Sequence, residues 1–145
     1  MKKLTLTIAA FSLLTTYSCK KSGEGNKNVI VKENVEESIH NENGKTDTAF
    51  AAEKTMKTGD KESTESTYRY VAEDGSSALV TFKNDQEGNT ITIKSNNATL
   101  YAKQEKSDGK TTIYKNQNVE IKSEGDHVTI TQENNVIELK KARGQ

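Results

Sequence analysis

From Thr67 onward, apolar and polar residues alternate in short runs. Tyr68 and Tyr70 share one face of YRYV, Ala78, Val80 and Phe82 one face of ALVTF, and Ile91 and Ile93 one face of TITIK, with Thr92 and Lys94 opposite. The segments ATLYAKQ, TTIYK, NVEIK, HVTITQ and VIELK continue the series. A period of two is that of a strand with one dry face and one wet face. Between the runs lie Glu73-Asp74-Gly75-Ser76, residues 84–89, Ser95-Asn96-Asn97, residues 105–110 (EKSDGK), Asn116-Gln117, Glu124-Gly125-Asp126 and Glu133-Asn134-Asn135. These are turn residues, because Gly supplies positive φ and Asp or Asn bonds its own backbone. The pattern predicts about eight strands at roughly ten-residue spacing. The connections are too short for parallel crossovers, so neighbours should be antiparallel. The expected fold class is all-β, a small barrel or sandwich over residues 67–145, following a tether. The expected inner face is Tyr68, Tyr70, Val80, Phe82, Ile91, Ile93, Leu100, Ala102, Ile113, Val119, Ile121, Val128, Ile130, Ile137 and Leu139. That set fills one modest core and leaves little room for a buried ligand.

Residues 19–66 have a different texture, rich in charged residues, Asn, Gly, Ser and Thr, with no sustained period. They read as a flexible tether that lifts a domain away from a membrane. Two pieces interrupt it. Asn28 to Val35 reads as a transient strand, and Thr48 to Lys57 as a short helix with Asp47 or Thr48 as N-cap and Gly59 beyond its end. So short a helix is marginal alone, and it is expected to be mobile rather than docked through Phe50 and Met56. Asp47-Thr48-Ala49 also resembles a short bacterial O-glycosylation motif, and chance produces such tripeptides easily.

The chain begins with Lys2 and Lys3, an apolar run from Leu4 to Leu14, and the small residues that lead to Cys19. This is the layout of a secretory signal over residues 1–18. The run is too short for a permanent span, which needs roughly 20 residues. Cys19, the single cysteine, stands where the cut should fall. The arrangement resembles the lipobox of bacterial lipoproteins, with Thr16 where that motif usually has Leu. The resemblance implies an acylated Cys19 as first residue of the mature chain and anchoring in the cell envelope, in an outer membrane of unresolved leaflet. The alternative is an ordinary signal peptide that leaves a free thiol.

Composition narrows the function classes. With 21 basic and 21 acidic side chains the net charge is +0, so neither a nucleic-acid footprint nor an acidic tail is expected. Only His40 and His127 supply imidazoles, without His-x-His or His-Glu-x-x-His spacing. No metal, cofactor or catalytic residue is therefore expected, and the chain reads as a non-enzyme. Ser107, Asp108 and His127 form a triad only on paper, since no nucleophile elbow accompanies them. The Asp-Gly and Glu-Gly-Asp segments read as turns before they read as calcium ligands, and Asn97-Ala98-Thr99 reads as a hairpin turn before a glycosylation sequon.

Several of these segments together resemble the family of membrane-bound inhibitors of c-type lysozyme. Tyr68, Asp74-Gly75 and Val80-Thr81-Phe82 match the family's opening strands, with Tyr70 where a cysteine usually stands. The family's Ser-x-Ser-Gly-x-x-Tyr loop corresponds to Ser107-Asp108-Gly109 and then Tyr114, with the first Ser missing and the Tyr late. Its Phe-Trp-x-Lys-Gly-Asp motif corresponds to Val119-Glu120-Ile121-Lys122 and Gly125-Asp126, without the aromatic pair. The resemblance implies an eight-stranded barrel, monomeric, whose partner is a c-type lysozyme. It implies that a polar loop enters the enzyme's cleft and offers hydroxyl and amide groups to its catalytic carboxylates. Ser107 would supply the hydroxyl, Asp108 would sit in the loop and be repelled by those carboxylates unless it faces away, Gly109 would permit close approach, and Tyr114 and Lys122 would flank the site. The competing expectation is an envelope binding module of the same barrel fold that does not inhibit lysozyme.

Overall fold

The computed structural model describes residues 29–42, 45–96 and 98–143. Cys19 and the expected signal segment lie outside these residues. Among the described residues every regular element is a strand: β1 (Val29–Glu42), β2 (Lys45–Thr58), β3 (Lys61–Ala72), β4 (Ser77–Asn84), β5 (Thr90–Ser95), β6 (Ala98–Ser107), β7 (Thr111–Asn116), β8 (Val119–Glu124), β9 (His127–Gln132) and β10 (Asn135–Lys141). Strands β3 to β10 are the eight that the alternation predicts. They form an antiparallel meander in which β3 also pairs with both β4 and β10, closing the barrel. Closure covers the barrel's own sheet edges only where β3 and β10 meet, over residues 70–72 and 139–141.

The closing seam is short. β3 and β10 share three residue pairs, Tyr70 with Lys141, Val71 with Lys140 and Ala72 with Leu139. The Ala142 N–H adds a bond to the Arg69 carbonyl at 2.9 Å, and the Lys141 ammonium lies 3.3 Å from the Tyr68 ring centroid. The earlier part of that same β3 edge, residues 61–68, pairs instead with Thr58 to Ala51 of β2. Where β2 parts from β3, the Arg69 guanidinium donates to the Thr48 carbonyl at 2.7 Å.

This arrangement corrects two expectations. Residues 48–57 form strand and not helix, and the stretch before Thr67 contributes two long strands and the first half of a third. The physical reason is tertiary. Because β10 occupies only the end of the β3 edge, the rest is open, and β2 satisfies its backbone groups. Helix-forming Ala49, Ala51 and Ala52 are overridden, as β-propensity depends on who pairs with the strand. The expected boundary at Thr67 falls inside β3, where Thr64, Glu65 and Ser66 already pair with β4.

Tyr70, Ala78, Val80, Ile91, Ile93, Ala102, Tyr114, Val119, Ile121, Val128 and Leu139 form the buried cluster, with Tyr68, Phe82, Leu100 and Ile130 packed against it. Two expected core positions differ. Tyr114, opposite Ile121, faces the core, while Ile113 is buried on the other face, opposite Lys106 and Lys122. Ile137 is 49% exposed, because the first half of β10 runs beyond the end of β3.

Candidate functional site

The candidate loop is shorter than its sequence suggests. Glu105, Lys106 and Ser107 continue β6, with a register shift between Gln104 and Lys106. An extra residue in one strand bends it and increases its twist. The connection to β7 is therefore only Asp108-Gly109-Lys110.

Hydrogen bonds hold this turn in one shape. The Asp108 carboxylate accepts from the Lys110 N–H at 3.0 Å and the Thr111 N–H at 2.7 Å. The Asp108 N–H donates to the Thr111 carbonyl at 3.1 Å, and Gly109 sits at φ 87°, where a side chain would be strained. The Ser107 and Thr112 hydroxyls are 2.9 Å apart. The bonds from Thr111 and Lys110, aided by the charge on Lys122, hold the Asp108 carboxyl below its ordinary range.

Lys122 joins the turn from β8. Glu124 lies 2.8 Å from the Lys122 ammonium and 3.4 Å from that of Lys110. The bond and charge of Glu124 raise the Lys122 pKa, and those of Lys122 and then Lys110 lower that of Glu124. All three side chains are substantially exposed, so these pairs orient the ammonium groups more than they stabilise the fold. The sequence reading missed Glu124 and Thr112. Hairpin register was the available signal, since it sets Glu124 opposite Thr111 and Thr112 opposite Ser107.

Ser107, Asp108, Gly109 and Lys122 thus come together at one end of the barrel. Tyr114 does not join them: it is 5% exposed, in the core, with its ring centroid 6.4 Å from that of Phe82. A flanking contact by Tyr114 is therefore ruled out without unpacking the barrel. His127, exposed at the start of β9, pairs in register with Glu124 and Lys140. A depression of about 570 Å³ lies along the β3–β10 seam, and none of the five candidate residues lines it. Among the described residues no group of three or more His, Cys, Asp or Glu side chains could hold a metal.

The pinned turn yields a direct expectation. Asp108 has a lowered pKa, so its ordering effect should be present above the ordinary carboxylate range and fade as pH falls through the lowered value. In Asp108→Ala, the Lys110 and Thr111 amides should exchange with solvent faster at neutral pH while the core amides keep their protection. Unchanged exchange at Thr111 would mean that the carboxylate does not order the turn.

The fold defines a closed antiparallel β-barrel with an exposed, hydrogen-bonded turn between β6 and β7. No protein-family model, curated protein or solved structure matches this chain.

Proposed function

We propose that this chain is a non-enzymatic, lipid-anchored binding protein of the bacterial cell envelope, and that it presents the β6–β7 end of its barrel to a protein partner. The partner suggested by its sequence resemblance is a c-type lysozyme, inhibited by occlusion of its cleft. One observation carries the reading: Ser107, Asp108 and Gly109 form an exposed turn whose backbone N–H groups are held by the Asp108 carboxylate. A turn ordered before binding loses little conformational entropy on docking. Ser107 and Lys110 are its exposed donors, and Lys122 stands beside it. Acylated Cys19 would supply the membrane attachment.

A second reading, the same barrel binding an envelope partner other than lysozyme, is favoured by the burial of Tyr114 and the pairing of Lys122 with Glu124. A turnover assay separates the two. Under the inhibitor reading, the mature chain at tens of micromolar slows a c-type lysozyme. Ser107→Ala combined with Lys110→Ala should then weaken inhibition by roughly thirtyfold, the loss typical of a truncated hot spot. A fully active lysozyme in the presence of the folded chain would refute the inhibitor reading and leave the second.

A further inference from the structure

β1 is unlike every strand of the barrel. One edge pairs with β2 along all 14 residues, and among the described residues no strand pairs with the other. Residues 29–39 are all exposed, including Val29, Ile30, Val31, Val35 and Ile39. A long edge of unpaired N–H and C=O groups is a template for another strand, and proteins usually block it with Pro, a bulge or repeated Lys. β1 has no Pro and runs in unbroken register with β2, and its charged residues are Lys32, Glu33, Glu36, Glu37 and Glu42.

The charges on β1 select what can pair there. In a two-fold antiparallel pairing of identical strands, one residue sits on the axis opposite its own copy. An axis on Lys32, Glu33, Glu36 or Glu37 sets like charges face to face, and an axis on Val35 sets Glu33 against Glu37. Like charges directly opposite are destabilising, and opposite charges or apolar pairs stabilise. Among these central positions only an axis on Asn34 avoids every such clash. It sets Lys32 opposite Glu36 twice, Val29 opposite Ile39 twice, and Glu33 opposite Val35. The adjoining β2 leaves this pairing undisturbed, since within the hairpin Lys32 faces Thr55 and Glu36 faces Ala51.

We propose that the free edge of β1 is a self-association surface whose occupant is β1 of a second copy of this chain, paired antiparallel about a two-fold axis at Asn34. The two hairpins then form one continuous four-stranded sheet, with a barrel at each end. The surface is distinct from the β6–β7 turn, so its test does not depend on the lysozyme assay.

The experiment uses the mature chain from residue 19 with Cys19→Ser, which keeps every described residue. Light scattering should show a concentration-dependent dimer. Lys32→Glu turns both complementary pairs into repulsive ones and should weaken the dimer roughly tenfold or more. Lys32→Glu combined with Glu36→Lys restores complementarity and should recover it. Opposed Cα atoms in an antiparallel pair lie about 4.5–5.5 Å apart, within the range a disulfide bridges. Asn34→Cys should therefore cross-link on oxidation. Ile39→Cys should not, because its two copies would lie roughly 30 Å apart along the sheet. A chain that stays monomeric at hundreds of micromolar, a dimer indifferent to Lys32→Glu, or equal cross-linking at Asn34 and Ile39 would each overturn the proposal.

Discussion

Tyr114→Ala should unfold the barrel or leave it only marginally stable. Emptying a buried aromatic position costs about 3–5 kcal/mol, a transfer term plus the cavity left behind. Domains of this size are stable by only about 5–15 kcal/mol. Tyr114 sits between facing elements, opposite Ile121 on β8 and near Phe82 on β4, so no single side chain can relax into its space. Urea denaturation should show the loss as a lower midpoint with an unchanged slope. Tyr114→Phe keeps the ring and should keep most of the stability. If Tyr114→Ala melts like the parent chain, the ring is not a core element and the site would need redrawing. The result also bears on function: any loss of binding in Tyr114→Ala would report unfolding, which is why the exposed Ser107 and Lys110 are the informative positions.

Strongly alkaline solution should unfold the barrel cooperatively. Burial, with smaller contributions from the charges of Asp126, Tyr68 and Tyr114, raises the Tyr70 pKa from 10.0 to about 12, and burial also raises that of Tyr114. A raised folded-state pKa contributes stability that is complete below the unfolded value and lost as pH rises towards the folded one. The window for Tyr70 therefore runs from about pH 10 to about 12. The shift corresponds to about 3 kcal/mol, since each pKa unit is worth about 1.4 kcal/mol. Phenolate absorbance and circular dichroism, followed together against pH, should show the buried phenols ionising in step with loss of structure. Tyr70→Phe removes the main titrating group and should move the alkaline midpoint upward. If Tyr70 ionised below pH 10 with the fold intact, the buried position would be wrong.

Much of the barrel was legible from alternation alone, because a strand half in water must repeat every second residue. All eight expected strands are present, and Tyr70, Val80, Ile91, Ile93, Ala102, Val119, Ile121, Val128 and Leu139 lie in the core as read. β7 was harder. TTIYK carries Ile113 and Tyr114 side by side, so period two cannot say which faces inward, and pairing with Ile121 decides for Tyr114. The candidate turn was legible in Asp108 and Gly109, whose local bonding needs only neighbours in sequence. The contact of Glu124 with Lys110 was not, since it forms only through the pairing of β7 with β8, whereas Lys122 and Glu124 lie two apart on one face of β8.

By itself the sequence determined an all-β antiparallel meander, the position of most turns and most of the inward face, since these follow from side-chain period and local backbone chemistry. Tertiary structure decided the fate of residues 29–42 and 45–66. Their sequence is polar and only weakly patterned, with one short strand-like piece at Asn28 to Val35 and one helix-like piece at Thr48 to Lys57. What makes β2 a strand is the open β3 edge left beside a three-pair seam with β10, a feature that exists only once the barrel has closed, and β2 in turn pairs with β1.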